Sequence, residues 1–246
     1  MSNLKPHLRK PYYGWGINDA DYVTQPRDRS KRCPIFDTWH SMVRRCYSKN
    51  SLVRGSIYED KYVSEDWQNF TDFKKWMEVL PWQGLCLDKD ILIMGNKVYS
   101  PDTCVFVPQY VNTFFAAPSK GRKVSNYPLG VNIKPRLITT PFVGQGIVDG
   151  KRTHLGCAAT PEEAHVLWQK WKLTEVDRVI SEYKTEAYVH EGVILSLNTA
   201  KENLTKDIES GRITPRLSWK ETQSDSGLYV KCLKTPKEAE EEMNNG

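Results

Sequence analysis

One stretch constrains the fold more than any other: "TPFVGQGIVDGKRTHLGCAATPEEAHVLWQKW", residues 140 to 171. Asp149-Gly150 is a hairpin turn signal between two runs of strand character. Ten residues later the period changes. Thr160 is suited to cap a helix, Pro161 to its first turn, and Glu163 completes a capping box. From there Ala164, Leu167, Trp168 and Trp171 recur at helical spacing and are expected to lie on a sheet. With "LGVNIKP" just upstream, the expectation is three short strands and one helix.

The N-terminal half has a different character. Residues 1–34 are rich in Pro, Gly and charge and read as an arm. In "IFDTWHSMVRRCYSKN" the residues Phe36, Trp39, Met42, Val43 and Cys46 predict a helix capped by Asp37 or Thr38. Arg44 and Arg45 fall near its end, where cations suit the helix dipole. A second helix follows Ser64, with Trp67, Phe70, Phe73 and Met77 as one apolar stripe and Pro81 beyond it. Then "CLDKDILI" and "CVFVP" read as strands around an "MGNK" turn, and "QYVNTFFAA" opens a short helix.

Composition matters mainly for partners. The net charge of +5 is modest, but residues 118–155 hold seven Lys or Arg against one acid, Asp149. A basic segment inside a balanced chain suggests a polyanion, most simply nucleic acid. No run of residues is long and apolar enough for a membrane span, and "MSNLKPHLRKPYYGWG" lacks the apolar stretch of a signal peptide. The six cysteines form no CxxC pair and read as reduced thiols, so the expected location is cytoplasmic.

The chemistry concentrates in "LDKDILIMGNKVYSPDTCVFVPQYVN", residues 87–112. A carboxylate on a strand and a carboxamide on the next helix, brought together by a hairpin, offer a hard divalent cation the oxygen ligands it takes. Asp88 and Asn112 are that pair. Asp90, two residues along an expected strand, falls on the side of Asp88 and is the candidate for a second metal contact.

This stretch resembles the HNH, or ββα-metal, motif of phage-type homing endonucleases. Asp88-Lys89 stands where an Asp-His pair ends the first strand, Gly95-Asn96-Lys97 forms the turn, Cys104 to Val107 the second strand, and Asn112 the final ligand. The upstream patterns "W-x-x-M-x-x-R-C-Y" and "W-x-x-F-x-x-F-x-x-W" extend the likeness to about residues 36–115. The resemblance implies Mg2+ (or Mn2+) at Asp88 and Asn112 and hydrolysis of phosphodiesters. It departs at Lys89, which occupies the place of the general-base His and whose ammonium does not accept a proton. Asp90 or His40 would then substitute as base. Residues 127–183 resemble the APETALA2-type DNA-binding domain through Gly130-Val131, Gly150-Lys151, Thr153-His154-Leu155-Gly156 and Thr160-Pro161-Glu162-Glu163-Ala164. That likeness implies a three-stranded sheet on double-stranded DNA, with Asn132, Lys134, Arg136, Gln145, Lys151 and Arg152 facing it, while His154 is expected to pack or to hydrogen-bond before the turn.

The expectation as a whole is an α+β chain. Its parts are the arm at 1–34, an HNH-like unit at 35–117 in which N-terminal helices lead into the ββα hairpin, and a linker at 118–127. An APETALA2-like sheet-on-helix domain at 128–184 and a helix with a tail at 185–246 complete it. The expected function is a site-specific DNA endonuclease of phage type, acting in an infected or lysogenic bacterial host. Asp88, Lys89 and Asn112 are its catalytic candidates, and Arg44 and Arg45 are added as DNA contacts. The alternative is an HNH-derived protein that binds DNA or a partner without cutting, and the C-terminal tail is a candidate surface for a protein partner.

Overall fold

A computed structural model describes residues 9–50, 60–116, 127–148 and 150–214. It is a mixture of helices and three small sheets, as an α+β chain requires. Contacts divide it into two compact units, with the division after Asn112. Among the described residues no helix is long and apolar enough to cross a membrane.

The first unit is built on aromatic packing. Helix α1, Pro34–Tyr47, starts at a proline whose missing N–H costs nothing in the first turn. Its buried face is Ile35, Phe36, Trp39, Met42, Val43 and Cys46. Cys33, not Asp37 or Thr38, takes the cap position; the Thr38 hydroxyl donates back to the Pro34 carbonyl instead. After strand β1, Tyr62–Val63, Ser64 caps a short 3-10 turn, Glu65–Trp67. Helix α2, Phe70–Glu78, then buries Phe70, Phe73 and Met77 and ends before Pro81. Phe36 meets Phe70 edge-on at 5.1 Å between ring centroids, and the Trp39 indole donates to the Trp67 carbonyl at 2.8 Å. The N-terminal segment is no loose arm. Trp15 stacks on Tyr47, and Ile17 exchanges backbone hydrogen bonds with Gln68 and Phe70.

Strand β2, Cys86–Asp88, pairs antiparallel with β4, Val105–Val107. Between them β3, Val98–Tyr99, pairs in parallel with β1, and helix α3, Gln109–Phe115, follows β4. The expected first strand through "DILI" is therefore three residues long, and "MGNK" is not its hairpin turn. The cause is local. One Asp88 carboxylate oxygen accepts the N–H groups of Asp90 (2.8 Å) and Ile91 (2.9 Å), and an Asx turn of this kind takes the backbone out of a ladder.

The second unit follows the expected order. Strands β5, Val131–Ile133, β6, Phe142–Val148, and β7, Lys151–Ala158, form one antiparallel sheet in sequence order. Helix α4, Pro161–Tyr183, begins at the capping box of Thr160 and Glu163 and packs on that sheet. Glycines permit the approach: a Cβ on Gly146 would lie 2.5 Å from the Trp171 ring, and one on Gly130 would meet Trp168 at 1.9 Å. Helix α5, Glu191–Glu209, is capped by His190 and lies along α4, so it belongs to this unit rather than to a separate tail. Val176, Val179, Ile180 and Tyr183 of α4 are buried, as are Val193, Leu197, Ala200 and Leu204 of α5. The expected linker lies, apart from Tyr127, outside the described residues, as does the tail beyond Thr214.

Candidate functional site

The end of β2 gathers the acidic candidates. Side chains alternate along a strand, so Cys86 and Asp88 share one face. Cys86 is the junction. Its thiol donates to the Gln109 carboxamide at 3.1 Å, hydrogen-bonds Asn112 one turn further along α3, and feels the Asp88 charge. Strand β2 thus carries Asp88 on the face from which Cys86 reaches helix α3, where Asn112 lies. Cys86 was legible in the sequence only as a thiol; its place two residues before Asp88 was the available signal.

Asp90 reaches the same place by a different route from the one expected. It lies beyond β2, so strand alternation does not align it with Asp88. The Asx turn folds it back, and the two carboxyl groups come within hydrogen-bonding reach. Burial, then the charge of Asp90, pushes the Asp88 carboxyl up to about 6, while Lys89 pulls the other way. Two crowded carboxylates with one carboxamide are a donor set that suits a hard cation. No group of three or more His, Cys, Asp and Glu side chains that could hold a metal is assembled among the described residues.

Lys89 turns inward. Only 5% exposed, it donates to the Asn96 carbonyl at 2.8 Å, pairs with Asp90 at 3.3 Å and lies over the Tyr99 ring. Asn96 completes the clasp, since its side chain donates to the carbonyls of Lys89 and Val98 at 2.6 Å and accepts the Val98 N–H. Lys89 thus pins the 89–98 loop. His40 is also placed elsewhere in function: its imidazole lies 3.2 Å from the Tyr13 hydroxyl and packs on Tyr12 and Phe36, and burial lowers its pKa. Of the two arginines on α1, Arg45 donates to the Ser41 carbonyl and lies over Tyr99, whereas Arg44 is exposed.

The sheet of the second unit sorts the basic and polar candidates. Gly144 and Gly146 face α4, so Gln145 and Ile147 between and beyond them face away. Register carries this across the strands: Gln145 is opposite His154, Ile147 opposite Arg152, and Asn132 opposite Val143. Asn132, Lys134, Gln145, Arg152 and His154 thus share the outer face. His154 is exposed there, and its ring is hydrogen-bonded to the Cys157 thiol at 3.5 Å. Ile147, 52% exposed, joins them and was missed because an apolar strand residue reads as core. Arg136 lies in the turn after β5, and Lys151 sits at the hairpin end opposite Val148, with the parity of the helix-facing side. No protein family, characterised protein or solved structure matches this chain.

Proposed function

We propose that this chain is a divalent-metal-dependent DNA endonuclease of the HNH type, in which a separate sheet-on-helix unit holds duplex DNA. The observation that carries the reading is a strand that sets Asp88 on the face of Cys86, whose thiol reaches α3 at Gln109, one turn before Asn112, with Asp90 folded back beside Asp88. Asp88, Asp90 and Asn112 are the residues that would hold Mg2+ or Mn2+. When bound, such a cation polarises a phosphate oxygen and makes water a stronger nucleophile. Asp90, whose Oδ2 is steadied by the Lys89 ammonium, is the group that takes the proton of the attacking water. Lys89 itself touches no reacting atom.

The outer sheet face supports the nucleic-acid part. It presents donors and acceptors at Asn132, Gln145 and His154, an apolar Ile147 fit for a thymine methyl, and Arg152 for a guanine edge or a phosphate. Lys134, Arg136 and Lys151, at its margins, are assigned to phosphates, which add salt-dependent affinity without sequence information.

The test is strand cleavage on a pool of long duplex DNAs titrated with Mg2+ and with Mn2+, with binding scored in the same samples. Metal-dependent cleavage lost in Asp88→Ala and in Asn112→Ala, with binding retained, is the expected result. Tight binding without cleavage in either metal would favour the second reading, a DNA-binding protein that keeps the acidic cluster for structure.

A further inference from the structure

We propose that His165 is a proton-operated latch that holds the segment after α5, residues 212–214, against α4. The imidazole is 1% exposed and bridges two backbone groups of opposite kind. Its Nδ1 lies 2.8 Å from the Leu129 carbonyl oxygen, which only accepts, so Nδ1 carries the proton. Its Nε2 lies 2.9 Å from the Thr214 nitrogen, whose N–H donates, so Nε2 presents a lone pair. One neutral tautomer satisfies both sides. A proton added at Nε2 sets two N–H groups against each other on the Thr214 side and leaves the Leu129 bond intact.

Protonation therefore opens one end of the bridge. The start of β5 stays tied while the segment after α5 is released. A second hold lies one turn along the same row of α4: Gln169 donates to the Arg212 carbonyl at 2.8 Å and to the Thr214 hydroxyl at 2.9 Å. Trp168 stacks on the imidazole from α4 itself. The charged groups from the packed elements are Asp207 of α5 and Arg212, which form an ion pair with Asp207 2% exposed. Asp207 favours a charged imidazole, but burial outweighs it and sets the His165 pKa below its ordinary value.

The sign follows. The folded chain holds the neutral ring, whereas an unfolded histidine titrates near ~6.5. The latch is fully closed above that value and loosens as pH falls below it, down to the lower folded pKa. The open fraction then rises by up to about tenfold per pH unit.

Amide exchange of Thr214, read by NMR on the full chain from pH 7.5 to pH 5, tests this, with the Val176 amide in the α4 core as reference. The expected result is a Thr214 protection factor that falls as pH drops below ~6.5, by up to about tenfold per unit, while that of Val176 holds. His165→Gln keeps one donor and one acceptor but has nothing to titrate, so its Thr214 protection should be flat with pH. Should that variant fail to fold, Gln169→Leu lowers protection at every pH and keeps the slope. A wild-type Thr214 profile parallel to Val176, or a flat profile in Gln169→Leu, overturns the latch.

Discussion

Replacing Lys89 with Met separates a lysine that builds the loop from one that handles substrate. Met keeps most of the apolar stem and removes the ammonium. Lost with it are the bond to the Asn96 carbonyl at 2.8 Å and the pair with Asp90 at 3.3 Å, both made by a side chain only 5% exposed. A hydrogen bond to a charged donor contributes ~1.5–3 kcal/mol, and the deserted carbonyl is left without its partner in a site that water reaches poorly. Relief of the buried ammonium's desolvation offsets part of this. The net expectation is a loss of about 2 kcal/mol. For a chain of this size that lowers Tm by roughly 4–8 °C. Thermal unfolding followed by circular dichroism, with duplex-DNA binding measured on the same preparation, reads both effects. The account expects the drop in Tm with DNA binding retained. An unchanged Tm together with lost DNA binding would refute it, because Lys89 would then face the ligand.

Other perturbations probe the second unit. Gly146→Ala places a methyl group where the Trp171 ring now lies, 2.5 Å away, and should cost about 1–3 kcal/mol in urea unfolding, with a shift in tryptophan emission. Lys134→Ala should weaken binding to all duplex sequences alike and reduce the salt slope of log K by about one. Gln145→Ala should instead narrow the gap between preferred and unrelated sites by ~1–3 kcal/mol in competition binding. Burial, opposed by the charge of Glu175, holds the Lys172 ammonium down to about 7 where it donates to the Phe114 carbonyl. An unfolded lysine titrates near ~10.4, so stability rises with pH between those values and is level below about 7. Lys172→Met should abolish that rise, read as urea midpoints at pH 7 and pH 9.5.

The sheet-on-helix unit was legible because its signals are local and agree. The hairpin turn at Gly150, the capping box at Thr160 and the stripe Ala164, Leu167, Trp168 and Trp171 all point one way, and the helix starts where they put it. The first unit was harder to read because side chains there compete with the backbone. Asp88 captures two N–H groups and ends a strand that "DILI" would otherwise continue, and Asn96 and Lys89 then hold the resulting loop. Periodicity carries no trace of such captures. Pro, Gly and charge mark the N-terminal segment as an arm, and composition carries no trace of Tyr12 and Trp15 packing against the aromatic core. Asp88, Asp90 and Asn112 are candidates that the sequence offers, whereas the link that Cys86 makes from β2 to α3 and the hold of Lys89 on Asn96 needed the fold. His165 and Gln169 were hidden in plain helical spacing, since what they hold lies about 45 residues downstream.

The most direct test of the central claim is Mn2+ binding, followed by electron paramagnetic resonance in the presence of duplex DNA, for the wild type and for Asp88→Asn and Asn112→Ala. The account predicts a bound Mn2+ that depends on the protein and is lost in both variants while their circular dichroism is unchanged. A signal that persists in either variant, or no bound Mn2+ in the wild type, would contradict the assignment of Asp88, Asp90 and Asn112 as a metal centre.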